Sequence, residues 1–230
     1  MKRLYKLSGL SYFMIFLSGF YANFVILESN IDKTNSFITT SNFINNHNQL
    51  SNGILGFLIM ITFDLVLVWS LFFITKPISI KLSYASSSLR LLHASAFCLA
   101  LYQLYKIYYL TFGNVTNSSN LQQTITTLLS NFDTIWTVGL LFFGVHLLFL
   151  GYLAIKSTIF PKPISVLLII ASLGYLIDSS AKLIYSGYEN YRSLFETGVL
   201  FTGVVGELSF TIWLLYKGFK TRIKHKIPTY

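Results

Sequence analysis

The sequence predicts an all-α protein built as a six-helix transmembrane bundle, and three observations lead to that prediction. Of its 230 residues, 53% are hydrophobic and only 11% are charged, whereas about a quarter of an ordinary soluble domain is charged. Apolar stretches long enough to cross a bilayer recur along the whole chain. The connecting segments alternate between those rich in Lys and Arg and those almost without them, which is typical of a multi-pass membrane protein.

Six apolar stretches have the length of membrane-spanning helices, and polar segments separate them. They cover residues 7–27, 53–74, 82–110, 132–155, 164–185 and 197–216. Because these spans take up most of the chain, we expect residues 1–230 to form a single integral-membrane domain. The segments 28–52, 111–131 and 187–196 are polar, and we expect loops there, the first with room for a short surface helix.

The Lys and Arg residues predict the orientation of these helices. Twelve of the 17 lie in the N-terminal segment, in the turns after the second and fourth spans, and in the C-terminal tail. The loops on the opposite side hold only Lys33 and Arg192. By the positive-inside rule, both termini are then cytoplasmic, and the number of spans is even. The twelve residues are Lys2, Arg3, Lys6, Lys76, Lys81, Lys156, Lys162, Lys217, Lys220, Arg222, Lys224 and Lys226.

The distribution of Lys and Arg residues also indicates which partners and which location to expect. The net charge of +9 follows from the orientation signal and does not indicate nucleic-acid binding. The partners we expect are membrane lipids, with anionic head groups contacting the basic tail. The single cysteine, Cys98, lies inside an apolar stretch, where a free thiol usually serves as a small hydrophobic side chain. We expect a multi-pass protein of a bacterial inner membrane, of undecided oligomeric state.

Five ionisable residues interrupt the apolar spans at a common depth. Counted from the predicted cytoplasmic end of each span, they lie roughly 12–17 Å deep at about 1.5 Å per helical residue. A charge near the middle of a bilayer is costly unless it meets a partner or a wet cavity, so we expect these residues to form one buried polar layer. They are Asp64, Arg90, His93, His146 and Glu207.

A second pair lies in the outer half of the fifth span. Asp178 and Lys182 are four residues apart, the spacing at which side chains meet on one helical face. We expect them to form a structural ion pair.

Three interpretations of the polar layer remain open. In the first, it binds or relays a proton or a small polar or anionic species, with Arg90 as the fixed cation and the two histidines as proton carriers. In the second, it is a structural network that orients the helices of a structural or stress-related membrane protein. In the third, His93 and His146 bind haem, or share a metal with Asp64 and Glu207, in an intramembrane enzyme.

The third interpretation has little support in the motifs. The sequence contains no His-Glu-x-x-His and no third histidine in a predicted span, so a membrane zinc hydrolase would lack its usual ligand set. We therefore assign no catalytic residue, no cofactor and no metal ligand, and we expect a protein that is not an enzyme.

Three stretches in the second half of the chain resemble the bacterial membrane family called domain of unknown function 4386 (DUF4386). The stretches are VHLLFLGYLAIKS at 145–157, the segment 161–178 with its GYLID, and GELSFTIWLLYKG at 206–218. The resemblance implies a compact six-helix membrane protein made of this domain alone, with Arg90, His146, Asp178 and Glu207 at matched positions. Members of that family often carry Glu or Gln where this chain has His93. The resemblance implies no activity.

Overall fold

A computed structural model describes residues 1–113 and 115–220, and it confirms the all-α prediction: the described residues form helices and no strand. Three of the cationic residues used to predict orientation, Arg222, Lys224 and Lys226, lie outside the described residues. Within them, seven helices follow one another. They are α1 (Lys2–Asn30), α2 (Ser36–Asn45), α3 (His47–Thr75), α4 (Ile80–Leu110), α5 (Ser119–Lys156), α6 (Lys162–Ile184) and α7 (Tyr188–Phe219). A π-helical turn, Tyr21–Leu27, lies within α1.

Five of these helices, α1, α3, α5, α6 and α7, are long and apolar enough to cross a membrane. This is the composition of a multi-pass membrane protein. The helix α4 does not reach the same hydropathy, because it carries three cationic residues and rows of Ser and Tyr side chains. The prediction of six spans with cytoplasmic termini therefore stays a prediction.

The six long helices form a closed ring. Each helix from α3 to α6 packs against the next in chain order, and α1 closes the ring by packing between α7 and α3. Two apolar clusters fill the interior. On α3, Phe57 and Ile61 belong to one cluster and Leu67 and Leu71 to the other, with Asp64 between them. The ring thus carries its polar residues between two hydrophobic layers.

The second polar segment, 111–131, was expected to be a loop, and this is wrong from Ser119 onward. The side chain of Ser118 caps α5 by accepting a hydrogen bond from the Leu121 backbone N–H at 3.3 Å. The segment is also amphipathic, since Ile125 and Leu128 lie near a common face with Phe132 and are buried. The short helix α2 in the first polar segment packs against this part of α5.

The expected loop at 187–196 is likewise helical, because α7 begins at Tyr188. The ring of Tyr188 is buried, and its hydroxyl donates to Asp178 Oδ1 at 2.8 Å. This contact with α6 fixes the first turn of α7 where composition alone suggested an irregular segment.

The crossing of α6 and α7 generates the first prediction, because it depends on a glycine. A Cβ at Gly206 would lie 2.8 Å from the backbone oxygen of Leu167 and 2.9 Å from the Cβ of Ala171. We expect Gly206→Ala to lower the free energy of unfolding by about 1–3 kcal/mol, as overpacking does. Thermal unfolding in detergent measures this.

Gly198 on the same helix is the matched control, since a Cβ there meets no atom within 4 Å. Gly198→Ala should be neutral or slightly stabilising, because Ala favours helix over Gly. Equal stabilities of the two variants would contradict the close α6–α7 contact.

Candidate functional site

The centre of the site is the guanidinium of Arg90, which binds side chains from three other helices of the ring. Its Nη2 donates to Asp64 Oδ1 of α3 at 2.5 Å. Its Nη1 donates to the Tyr12 hydroxyl of α1 at 2.9 Å and to His146 Nε2 of α5 at 3.1 Å. Arg90 is only 1% exposed, so one buried cation connects α1, α3, α4 and α5.

Aromatic rings enclose this cation. The guanidinium carbon lies 4.9 Å from the ring centre of Tyr12 and 5.4 Å from that of Phe143, within the range of a cation–π interaction. Phe143 also packs against His93, with ring centres 4.8 Å apart, and edge-on against Tyr175 at 5.1 Å. The cluster of Asp64, Arg90, His93 and His146 is therefore walled by apolar ring surface.

The contacts of His146 define its protonation state. Arginine has only donors, so the Nε2 that faces Arg90 must accept. The Nδ1 then carries the proton, and it lies 2.8 Å from the backbone oxygen of Ser86 and 2.9 Å from the Ser86 hydroxyl. We therefore assign a neutral His146, because a second proton on Nε2 would set two donors against each other.

His93 also directs Nδ1 at a backbone oxygen, but it differs from His146 in what faces Nε2. Its Nδ1 lies 3.0 Å from the backbone oxygen of Gly139, which only accepts, so Nδ1 carries a proton. Its Nε2 faces Oδ2 of Asp64 at 3.5 Å. A neutral imidazole and an ionised carboxylate would both be acceptors across this gap. One more proton, on Nε2 or on the carboxyl, is needed to make the contact favourable.

The Asp64 oxygen that faces His93 is available to hold that proton. Asp64 is held through Oδ1 alone, and its buried Oδ2 has no hydrogen-bond partner. The close approach of His93 to α5 depends on Gly139, since a Cβ there would lie 2.8 Å from the Phe97 ring, which itself packs 4.0 Å from the His93 ring. The site thus combines a fixed ion pair with a carboxylate oxygen turned toward a histidine.

Glu207, the fifth predicted residue, does not join this cluster directly. Its Oε1 accepts a hydrogen bond from the Tyr175 hydroxyl at 2.7 Å, in a partly buried position. It is still close enough for its charge to interact with those of Arg90 and Asp64. The polar layer therefore has two parts, the Arg90 cluster and the Glu207–Tyr175 pair.

The expected ion pair between Asp178 and Lys182 is replaced by two other contacts. Lys182 donates to Asp133 Oδ1 of α5 at 2.5 Å, while Asp178 accepts from Tyr188. The i,i+4 spacing permits a pair, but a helical lysine with a long stem reaches a carboxylate on the neighbouring helix equally well.

Three residues of the site lie outside the sequence-based expectation: Tyr12, Phe143 and Tyr175. Each is an aromatic residue within an apolar stretch, so its hydropathy resembles that of its neighbours. A buried tyrosine hydroxyl needs a hydrogen-bond partner, and a tyrosine inside an apolar span, such as Tyr12, was the available signal.

The buried ion pair generates the second prediction. Arg90→Met leaves the Asp64 carboxylate buried without its cation, and such a loss costs about 3–5 kcal/mol of folding stability. Adding Asp64→Leu removes the unpaired charge, so the double variant should be more stable than Arg90→Met alone. The unfolding free energies of the wild type, the two single variants and the double variant, measured in detergent, give the coupling energy between Arg90 and Asp64.

Arg192→Met is the control, because Arg192 pairs with Glu189 and Glu196 on an exposed face, where an ion pair contributes about 1 kcal/mol or less. Additive losses at Arg90 and Asp64 would contradict the pairing.

Comparison with known proteins shows the family to which the chain belongs. A family model described as "Domain of unknown function (DUF4386)" matches residues 7–218, which include every residue of the Arg90 cluster. An uncharacterized protein from Archaeoglobus fulgidus is 32% identical over 168 residues, 73% of this chain and 85% of that protein. No solved structure matches. The chain belongs to the DUF4386 family.

Proposed function

We propose that this membrane protein binds a proton at the His93–Asp64 contact and relays it within the ring of helices. The observation that carries the proposal is the facing pair of acceptors, His93 Nε2 and Asp64 Oδ2, 3.5 Å apart. Both are buried away from water, and Nδ1 of His93 is already committed to Gly139. A proton is the smallest species that resolves the contact.

The net charge of the polar layer also supports the binding of one additional proton. Asp64 and Glu207 bring two negative charges and Arg90 one positive charge. One additional proton makes the layer neutral, which is the least costly state at bilayer depth. His146 is a poor carrier because its Nε2 accepts from Arg90. Of the remaining groups, Glu207 already accepts from the Tyr175 hydroxyl, whereas His93 and Asp64 turn two acceptors toward each other, and we assign the proton to that contact.

A proton fits the site better than an anionic ligand. The terminal nitrogens of Arg90 already bind Asp64, Tyr12 and His146, so an anion would have to displace one of them. A surface cavity of about 380 Å³ lies on the first part of α5, beside Asn120 and Thr124, and includes none of the cluster residues.

Haem or metal binding by the two histidines fits less well. The lone pair of His146 Nε2 accepts from a guanidinium, and a metal would need that same lone pair. Among the described residues, no three His, Cys, Asp or Glu side chains form a group that could hold a metal ion.

The proposal includes a location in the bacterial inner membrane, with α4 as the sixth span and both termini cytoplasmic. Its 31 residues extend about 46 Å at 1.5 Å each, more than the hydrocarbon core of about 30 Å. Because its polar face is buried against α3 and α5, the hydropathy of the whole helix understates the apolar character of its outer face.

Proton uptake by the purified protein tests the proposed site. In lipid nanodiscs, titration between about pH 5 and 8, the range in which histidines titrate, should show a proton that the wild type takes up and His93→Gln does not. Asp64→Asn should lose it as well, since the amide N–H donates to Nε2 in place of that proton. Isotope-labelled histidine NMR would assign the site.

Two controls distinguish proton uptake at this site from proton uptake by other histidines. His47→Gln, in a contact with Thr111 near the other end of α4, should leave that proton in place. His146 should keep its Nδ1 proton and a bare Nε2 throughout the titration. If His93→Gln takes up as many protons as the wild type, the layer is a structural network and the proposal fails.

Relay, as distinct from binding, requires proton flux. Liposomes carrying an internal pH dye should acidify faster with the wild type than with His93→Gln or Glu207→Gln. Glu189→Gln, an exposed carboxylate at the start of α7, is the charge-matched control. Flux at the level of empty liposomes together with normal proton uptake would restrict the protein to proton binding.

Labelling at the two ends of α4 tests whether this helix crosses the membrane as the sixth span. In a Cys98→Ser background, Pro77→Cys and Phe112→Cys introduce exposed thiols before and after α4. An impermeant maleimide should label Phe112→Cys on intact cells and Pro77→Cys only after lysis. Labelling of both on intact cells would mean that α4 does not cross.

A further inference from the structure

We propose that the crossing of the first residues of α1 with the last residues of α7 is a binding site for the phosphate of an anionic phospholipid. This site is independent of the proton site. It lies at the end of the bundle that carries the two short basic turns and the first and last described residues, here called the cationic end.

The cationic end holds nine Lys or Arg residues within the described chain and none of the eight acidic residues of the sequence. In the described structure, the ion pairs of the bundle involve only residues of the polar layer or of the opposite end. Among residues 1–113 and 115–220, these cations therefore have no carboxylate partner within ion-pair distance. They are Lys2, Arg3, Lys6, Lys76, Lys81, Lys156, Lys162, Lys217 and Lys220.

Five of the nine belong to the two helix ends that meet at the α1–α7 crossing. The backbones touch there, since a Cβ at Gly218 would lie 2.6 Å from Cα of Lys6. The Nζ of Lys6 lies 4.6 Å from the ring centre of Phe219. Lys217 and Lys220 come from the last turn of α7 and its C-cap, and Lys2 and Arg3 from the first turn of α1. The glycine thus lets two cationic helix ends share one small surface.

Aromatic rings at this crossing set the depth of the cations. Lys217 lies over Trp213, and Lys220 over Tyr216, with Nζ 5.8 and 5.3 Å from the ring centres. Tyr216 and Phe219 are exposed, as aromatic residues at a membrane interface are. Lysine over an exposed ring holds its ammonium group at the level of lipid phosphates, with its apolar stem toward the acyl chains.

The surface below the cations favours a lipid over a soluble anion or an acidic peptide. Leu7 and Leu10 of α1 and Ile212 of α7 are exposed there, between one and five residues along the helices from Lys6 and Lys217. A headgroup at Lys6 and Lys217 would have its acyl chains along these apolar side chains. A molecule with a phosphate above a hydrocarbon chain matches both surfaces, whereas a soluble anion matches only the cations.

The test compares two triple variants that remove the same charge from the cationic end. Lys6→Gln, Lys217→Gln and Lys220→Gln remove the crossing site, whereas Lys76→Gln, Lys81→Gln and Lys156→Gln remove three cations elsewhere. Each delipidated protein is titrated with phosphatidylglycerol or phosphatidylcholine in detergent, and bound lipids are counted by native mass spectrometry.

We expect the wild type and the second variant to retain phosphatidylglycerol in preference to phosphatidylcholine, and the crossing variant to bind phosphatidylglycerol at least tenfold more weakly. Equal losses in both variants would mean a diffuse charge effect and would overturn the site. Equal retention of phosphatidylcholine, or displacement by glycerol 3-phosphate alone, would also overturn it.

The wild type provides a measurement that does not depend on the folding of variants. Phosphatidylglycerol retention should fall as salt rises, since ions screen exposed charges, while phosphatidylcholine binding should stay constant. Salt-independent retention of phosphatidylglycerol would contradict an electrostatic headgroup site.

Discussion

The structure depends on one buried ion pair, between Arg90 and Asp64, which the helices of the bundle enclose. An unpaired donor on a buried guanidinium is costly. The two terminal nitrogens of Arg90 find acceptors where Tyr12, Asp64 and His146 come together, whereas its buried Nε has no hydrogen-bond partner among the described residues. Those three residues belong to three helices, so the relative positions of α1, α3, α4 and α5 are fixed by one side chain. The apolar clusters on either side add packing without such directional constraints.

This constraint explains why α4 is the least apolar of the long helices and still lies inside the ring. Two of its serines, Ser83 and Ser86, share with Arg90 and His93 a face that is buried against α3 and α5. Small residues on α5 make room for that face. Gly139 admits the Phe97 ring and leaves its own backbone oxygen to accept from His93. Hydropathy averaged around the helix mixes this buried polar face with an outer face on which Leu91, Leu92 and Leu99 are exposed, so the average describes neither face.

Much of the fold and part of the site could be predicted from the sequence. Depth along each span was sufficient to bring together Asp64, Arg90, His93 and His146, because rise per residue is fixed in a helix. Depth does not fix rotation about the helix axis, so it could not show that Glu207 contacts Tyr175. The i,i+4 spacing did not predict the partners of Asp178 and Lys182. Lys182 donates to Asp133 of α5, and Asp178 accepts from Tyr188 of α7. The polar composition of 111–131 led to the expectation of a loop where α5 begins. The spacing of Ile125 and Leu128, which are buried, indicates a helix there.

The two histidines show how one layer can separate structural and chemical roles. Both use Nδ1 to donate to a backbone oxygen of a neighbouring helix, so both rings are oriented by the scaffold. The difference lies in what faces Nε2. His146 faces a donor that never loses its protons, and its neutral form is therefore part of the ion-pair network. His93 faces a carboxylate oxygen without another partner, and this contact changes from unfavourable to favourable when a proton is added. A proton added at His93 strengthens its contact with Asp64, whereas one added at His146 would break the contact with Arg90.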